Sequence, residues 1–193
     1  MKRLRLGSTL LAAALLTTPL VAEEPENAGL AIGEHAPLFT LKDQNSRDVS
    51  LEALLKKGPV AVVFHRSVDW CMFCKLQMAQ LQRILKEIDT AGGQVVGISY
   101  DSVEKLKPYA NRSRITFPLL SDADSRTIDA YDIRYPEAPP EKGGFARHAT
   151  FVLDQKGIIR AKLFQLSFQE RPAVENLINA LKEARKITEE PKS

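Results

Sequence analysis

The sequence predicts an α/β domain: a central mixed β-sheet flanked by helices, with a β-hairpin extension at its N-terminal side. Three observations carry this prediction. "VAVVFH" (60–65) and "QVVGISY" (94–100) are apolar runs without polar alternation, as expected of strands covered on both faces. Between them, Leu76, Leu81, Ile84, Leu85 and Ile88 recur at helical spacing from Cys71 until Gly92 and Gly93. Near the end, "HATFVLDQKGIIRAKLF" reads as a hairpin turning at Asp154 to Gly157, and a helix follows it.

The elements follow in order. "APLFTLKDQNSRDVSLEALL" alternates Leu38, Thr40 with Phe39, Leu41, crosses a polar turn, and leads through a second extended piece into a brief helix near Ser50. Gly58 and Pro59 stop that helix, and the Val60–His65 strand then points at the cysteines. After the second buried strand, Asp101 with Glu104 three residues on resembles a capping box for the next helix. A short apolar patch at Phe117–Leu120 and a helix from Ala123 to Tyr131 come next. "RYPEAPPEKGGFA" (134–146), with its prolines and paired glycines, is a surface loop. The last helix opens at Pro172 and places Val174, Leu177, Ile178 and Leu181 on one face.

The chain begins with Met1, Lys2, Arg3, Leu4, Arg5 and an uncharged run to Ala22, ahead of Glu23 and Glu24, which is the layout of a secretory signal peptide. The run is short for a membrane span, which needs about 20 residues, and Pro19 interrupts it. Export to the periplasm is therefore expected, with no membrane insertion after cleavage. The leader holds three cations and no acid, so removing it turns the net charge of +3 into a neutral mature chain. Such a balance gives no footprint for nucleic acid or an anionic surface. The expected organisation is a signal peptide over 1–22, a flexible segment over 23–32, one domain over 33–187, and a tail over 188–193.

Both cysteines of the 193-residue chain, Cys71 and Cys74, lie in "WCMFC", directly after the only tryptophan, Trp70. Residues three apart share a helix face, and a helix start presents unpaired N–H groups and a positive dipole, so a disulfide and a thiolate are both favoured there. A thiol ordinarily near pKa 8.5 falls to about 3.5–7.5 in such positions. A purely structural disulfide is the competing reading. Closing a four-residue loop constrains the unfolded chain by only about 2 kcal/mol, against about 4.7 for a loop of a hundred, so the spacing favours redox use. Met72 and Phe73 offer neither charge nor imidazole, which suggests a moderate or low reduction potential. For a metal, the donors are the two cysteines with His35, His65, His148 and Met72. Zinc lacks a second cysteine pair, whereas soft copper(I) accepts two thiolates and a third donor.

Three stretches, "IGEHAPLFTLKDQNSRDVSL", "VVFHRSVDWCMFCKLQMAQLQ" and "ATFVLDQKGIIR", resemble the alkyl hydroperoxide reductase C and thiol-specific antioxidant (redoxin, peroxiredoxin-like) family of the thioredoxin fold. The resemblance runs from about Gly33 to Leu181 and implies a thioredoxin-like domain. Laid on the family's Pro-x-x-x-Thr-x-x-Cys pattern, the peroxide-attacking cysteine falls on Cys74, with Cys71 at the threonine position and Ser67 at the proline position. The family's peroxide-polarising arginine corresponds to the neighbourhood of Arg147 and His148. Trp70, Cys71 and Cys74 also satisfy the Trp-Cys-x-x-Cys pattern of thioredoxin-like reductases, in which the first cysteine attacks and the second resolves. The cis-proline that faces the cysteines in those proteins is replaced by His148 or Ala149.

These readings predict a periplasmic thiol-disulfide oxidoreductase with a peroxiredoxin-like antioxidant role, in which Cys71 attacks and Cys74 resolves. Trp70, Phe73, Arg147 and His148 are expected to position substrate. The alternatives are a thiol-dependent hydroperoxide reductase with Cys74 as the attacking sulfur, and a periplasmic copper carrier. No bound cofactor or resident metal is expected for the enzyme. Its partners are a disulfide-bearing protein or a hydroperoxide, and a thiol electron donor.

Overall fold

The computed structural model describes residues 28–136, 138, 142–164 and 171–189; the leader, the first part of the 23–32 segment and most of the C-terminal tail lie outside these. Seven strands form one mixed sheet in the order β2-β1-β5-β4-β3-β6-β7. The expected N-terminal hairpin is β1 (Thr40–Asp43) and β2 (Asp48–Ser50), and the brief helix is α1 (Leu51–Leu55). Ser50 caps it by accepting from Ala53 N.

The central strand β3 (Val60–Phe64) is buried throughout. It pairs in parallel with β4 (Gln94–Ser99) and antiparallel with β6 (Ala149–Leu153), while β4 continues in parallel to β5 (Leu119–Ser121). Strand β7 (Ile159–Leu163) closes one edge against β6, with a bulge at Val152/Leu153. Alternation along β3 explains its continuous apolar sequence, because each face has its own core. Ala61 and Val63 pack with Met78, Leu81, Leu106, Leu177 and Leu181. Val60, Val62 and Phe64 pack with Leu51, Ile128, Tyr131 and Phe151.

After β3 the chain turns into α2 (Met72–Arg83), whose N-cap is Cys71. The single helix expected up to Gly92 is two: α2 ends at Ile84, which sits at φ −96°, ψ 7°, and α3 (Leu85–Thr90) starts after it. No glycine or proline marks the break, so the apolar spacing runs through it. Leu76, counted on the apolar face, is 43% exposed, and the inward face is instead Cys74, Gln77, Met78 and Leu81. Gly97 on β4 allows α2 this close approach: a Cβ there would stand 3.0 Å from Met78 Sδ and 3.5 Å from His65 Nε2.

Helix α4 (Val103–Ser113) follows β4 with Ser102, not Asp101, as its N-cap. The expected capping box does not form, since Ser102 makes no side-chain cap hydrogen bond, and Asp101 is committed elsewhere, as described below. Helix α5 (Arg126–Ala130) starts later than the expected Ala123, because Asp122 accepts from Thr127 N and Ile128 N and holds the preceding turn outside the helix. The last helix, α6 (Arg171–Glu189), covers the first core cluster through Val174, Leu177 and Leu181. Before β1, Leu30 N donates to Tyr131 O at 3.3 Å, and Gly33 N donates to Ile159 O at 2.8 Å.

His65 ends the β3 run fully buried, and neither ring nitrogen has a hydrogen-bond partner among the described residues. Burial pushes its pKa down to about 3, from an ordinary value of about 6.5. The unfolded chain thus takes up a proton as pH falls through about 6.5, while the folded chain refuses it until about 3. Stability from this group is complete above the unfolded pKa and falls with acidification by about 1.4 kcal/mol per pH unit. His65→Leu is expected to flatten the stability profile between pH 6 and 4 by close to one proton in urea unfolding at several pH values. An unchanged slope contradicts the buried neutral imidazole.

Candidate active site

The loop 65–71 is set by a buried carboxylate. Asp101, leaving β4, accepts from Ser67 Oγ at 2.7 Å, Val68 N at 2.7 Å and Ser99 Oγ at 2.9 Å, and Ser67 Oγ accepts in turn from Asp69 N. Burial raises the Asp101 pKa, opposed by these hydrogen bonds and by the Lys105 charge. The bracing explains why Asp101 does not cap α4. It also fixes the place where α2 begins.

At that start Cys71 and Cys74 are joined as a disulfide, with Cα atoms 5.3 Å apart, inside the ordinary range for such bonds. Cys71 Sγ accepts from Cys74 N at 3.2 Å, so the sulfur occupies the capping position that the unpaired N–H groups of the first turn favour. Cys74 is fully buried and Cys71 reaches the surface with 6% exposure. Across the sheet, β6 pairs with β3 so that Ala149 stands opposite Phe64. The residue before it, His148, is thereby carried to the cysteines, and its Nε2 lies 3.6 Å from Cys74 Sγ. No cis peptide occurs among the described residues, in keeping with the lack of a proline at 148 or 149.

His148 is buried, and its Nδ1 has no hydrogen-bond partner among the described residues. Its pKa is pushed down to about 3, first by burial, then by the Arg66 charge and by the neighbouring His65, with which a second proton would compete. The ring beside the sulfur is therefore neutral. With Nδ1 unpinned, Nε2 can carry the proton or present its lone pair.

The other expected positions divide. Trp70 is half-buried, donates from its indole N–H to Tyr100 Oη at 2.9 Å, and meets Phe145 edge-on at 5.3 Å. Phe73 and Met72 stand at the surface, 67% and 64% exposed, beside the disulfide in sequence. Arg147 turns its guanidinium over the Tyr135 ring at 5.2 Å, and Arg66 does the same at 5.3 Å. Arg66 is the cation whose charge reaches His148. The ends of the 134–146 loop are zipped by the Arg134–Ala146 bridge and by Tyr135 N donating to Phe145 O at 3.0 Å. Its Lys142 lies 4.7 Å over the ring of Trp70, the residue before Cys71. The sequence marks His65 only as one of several metal donors, and gives no sign that Asp101, Tyr100 and Phe145 belong beside the cysteines. Asp101, Tyr100 and Phe145 arrive by contacts between distant parts of the chain.

Comparison with known proteins agrees with this geometry. The profile described as the AhpC/TSA family matches residues 32–162. A chloroplastic peroxiredoxin Q of Sedum lineare is 31% identical over 150 residues, covering 77% of this chain and 76% of that protein. A peroxiredoxin of Mycobacterium tuberculosis is 34% identical over 136 residues, covering 67% and 82%. Among solved structures, the peroxidoxin BcpB of Mycobacterium tuberculosis superposes with a TM-score of 0.69 at 24% identity, covering 79% of this chain and 96% of the other. Peroxiredoxin Q of Xanthomonas campestris gives 0.64 at 22% identity, covering 75% and 90%. The family match over 32–162 and the curated relative at 31% identity place the chain in the AhpC/TSA family, as a thiol-dependent oxidoreductase of thioredoxin-like fold.

Proposed function

We propose that the chain is a thiol-dependent hydroperoxide reductase of the cell envelope, in which Cys74 attacks peroxide and Cys71 resolves. The observation that carries this reading is the 3.6 Å approach of His148 Nε2 to the buried Cys74 Sγ in the first turn of α2. The names of the relatives, peroxiredoxins, support peroxide as the substrate class.

In the reduced enzyme, Nε2–H of neutral His148 donates to the Cys74 thiolate, and the Arg66 cation nearby favours the same charge. The thiolate attacks the outer oxygen of a hydroperoxide, the O–O bond breaks, and the alkoxide or hydroxide leaves and takes a proton. Cys74 becomes a sulfenic acid. The Cys71 thiolate then attacks that sulfur, water leaves, and the disulfide forms. In the disulfide the Cα atoms stand 5.3 Å apart, an ordinary separation for such a bond. Two external thiols return the pair to the dithiol and leave as their own disulfide. Small hydroperoxides suit a sulfur that no large partner can touch directly.

One observation favours a second reading, the reduction of protein disulfides with Cys71 attacking. Cys71 is the sulfur that reaches the surface, next to exposed Met72 and Phe73 that offer an apolar contact to a polypeptide. His148 then stands beside Cys74 as its thiolate attacks the Cys71 sulfur of the mixed disulfide and the substrate thiolate leaves.

Single-turnover oxidation separates the two. Cys74→Ser is expected to slow peroxide consumption by about a thousandfold or more. Cys71→Ser is expected to retain the first turnover and accumulate a sulfenic acid that dimedone traps on Cys74. Loss of that turnover in Cys71→Ser, with Cys74→Ser still reacting, assigns attack to Cys71 and overturns the peroxide reading. The envelope location rests on the leader. Expression of the full chain in a Gram-negative host is expected to yield a periplasmic protein starting at Glu23 on N-terminal sequencing, whereas an unprocessed Met1 chain in the cytoplasmic fraction contradicts export.

A further inference from the structure

The same three groups that define the redox site also make a donor set for a soft metal. Cys71 Sγ, Cys74 Sγ and His148 Nε2 or Nδ1 lie within 4.8 Å of one another, and all three residues are buried. With bonds of about 2.0–2.3 Å, the ligands of a three-coordinate ion stand about 3.5–4 Å apart. The Cys74–His148 separation of 3.6 Å already has that value. Reduction removes the S–S bond and lets the Cys71 sulfur move outward from the N-cap by rotation about its own side chain.

The geometry points to a trigonal copper(I) site in the reduced protein, formed by the Cys71 and Cys74 thiolates and the His148 imidazole. His148 is the second, independent feature beside the thiols: a buried ring aimed at the sulfurs, with its remote nitrogen unpartnered among the described residues. The other donors considered from the sequence fall away: His35 lies exposed on the bridge to Ile158, the Met72 side chain points into solvent, and His65 is not among the donor atoms that come within 4.8 Å of one another. No fourth protein donor joins the group among the described residues, which suits soft copper(I) and disfavours structural zinc. Binding releases the Cys71 thiol proton to solvent, and copper(I) with two thiolates and a neutral imidazole carries one net negative charge, near the Arg66 cation that acts on His148. No electron is transferred, because the ion arrives as copper(I) and the disulfide has first been opened by external thiol. Copper and peroxide would then compete for the same sulfurs.

The test uses the mature chain, reduced with thiol, desalted without oxygen and titrated with copper(I) against bicinchoninate. One ion per chain is expected, with X-ray absorption showing two sulfur donors and one nitrogen donor. His148→Ala is expected to weaken binding at least about tenfold and to lose the nitrogen donor. His148→Met, which keeps a soft donor, is expected to restore affinity with a three-sulfur signature, which guards against a loss caused by misfolding. The inference is overturned if wild type binds no tighter than a free Cys-Met-Phe-Cys peptide, if His148→Ala matches wild type in affinity and donor set, or if zinc displaces copper(I) at equal concentration. Peroxide turnover of the metal-free protein is followed in parallel. Its presence without copper binding overturns only this inference, and its absence with copper binding overturns only the peroxide reading.

Discussion

The antiparallel pairing of β6 with β3 is the constraint on which the site depends. With Phe64 opposite Ala149, the residues flanking this pair, His65 and His148, are both delivered to the end of the sheet where α2 begins. A slip of one residue would turn His148 to the opposite face and leave the cysteines without an imidazole. The register is held by the cores on both faces, since Phe64 and Phe151 meet edge-on at 5.9 Å in one core while Val63 and Val152 lie in the other. Burial on both sides thus does more than stabilise the sheet: it aims a neutral ring at a sulfur.

Two further restraints complete the arrangement. Asp101 holds the chain between β3 and α2 by its bonds to Ser67 and Val68, so the first turn of the helix, and Cys71 with it, has a fixed origin. On the outer side, Trp70 is clamped between Tyr100 and Phe145, while Arg66 and Arg147 lie over the same Tyr135 ring. These contacts place cationic charge at the rim, and among the described residues no carboxylate joins the cluster of Cys71, Cys74 and His148. The result is a site with a cation nearby and an uncharged histidine beside the sulfur.

Much of this was legible in the chain itself. The buried strands 60–64 and 94–99 were plain because a strand covered on both faces needs no polar residue, and the cysteine pair was plain because a helix start is where a thiolate gains most. The late hairpin and the amphipathic last helix followed from turn residues and period. What stayed hidden is long-range or locally silent. Asp101 looked like a cap because its spacing to Glu104 fits one, and only the tertiary fold shows that its carboxylate is already taken by the 67–68 loop. The break at Ile84 carries no sequence mark. His148 was noted as a neighbour of the site from the family resemblance, but its approach to Cys74 rather than Cys71 is a product of strand register.

The central claim is that His148, held neutral by burial and by Arg66, stabilises the Cys74 thiolate by a hydrogen bond from Nε2. Its most direct test is the ionisation of the Cys74 thiol in reduced Cys71→Ser protein, followed by absorbance of the thiolate with and without His148→Ala. The account predicts a thiol pKa below the ordinary value of about 8.5 that rises when His148 is removed. An identical titration in both proteins would contradict it.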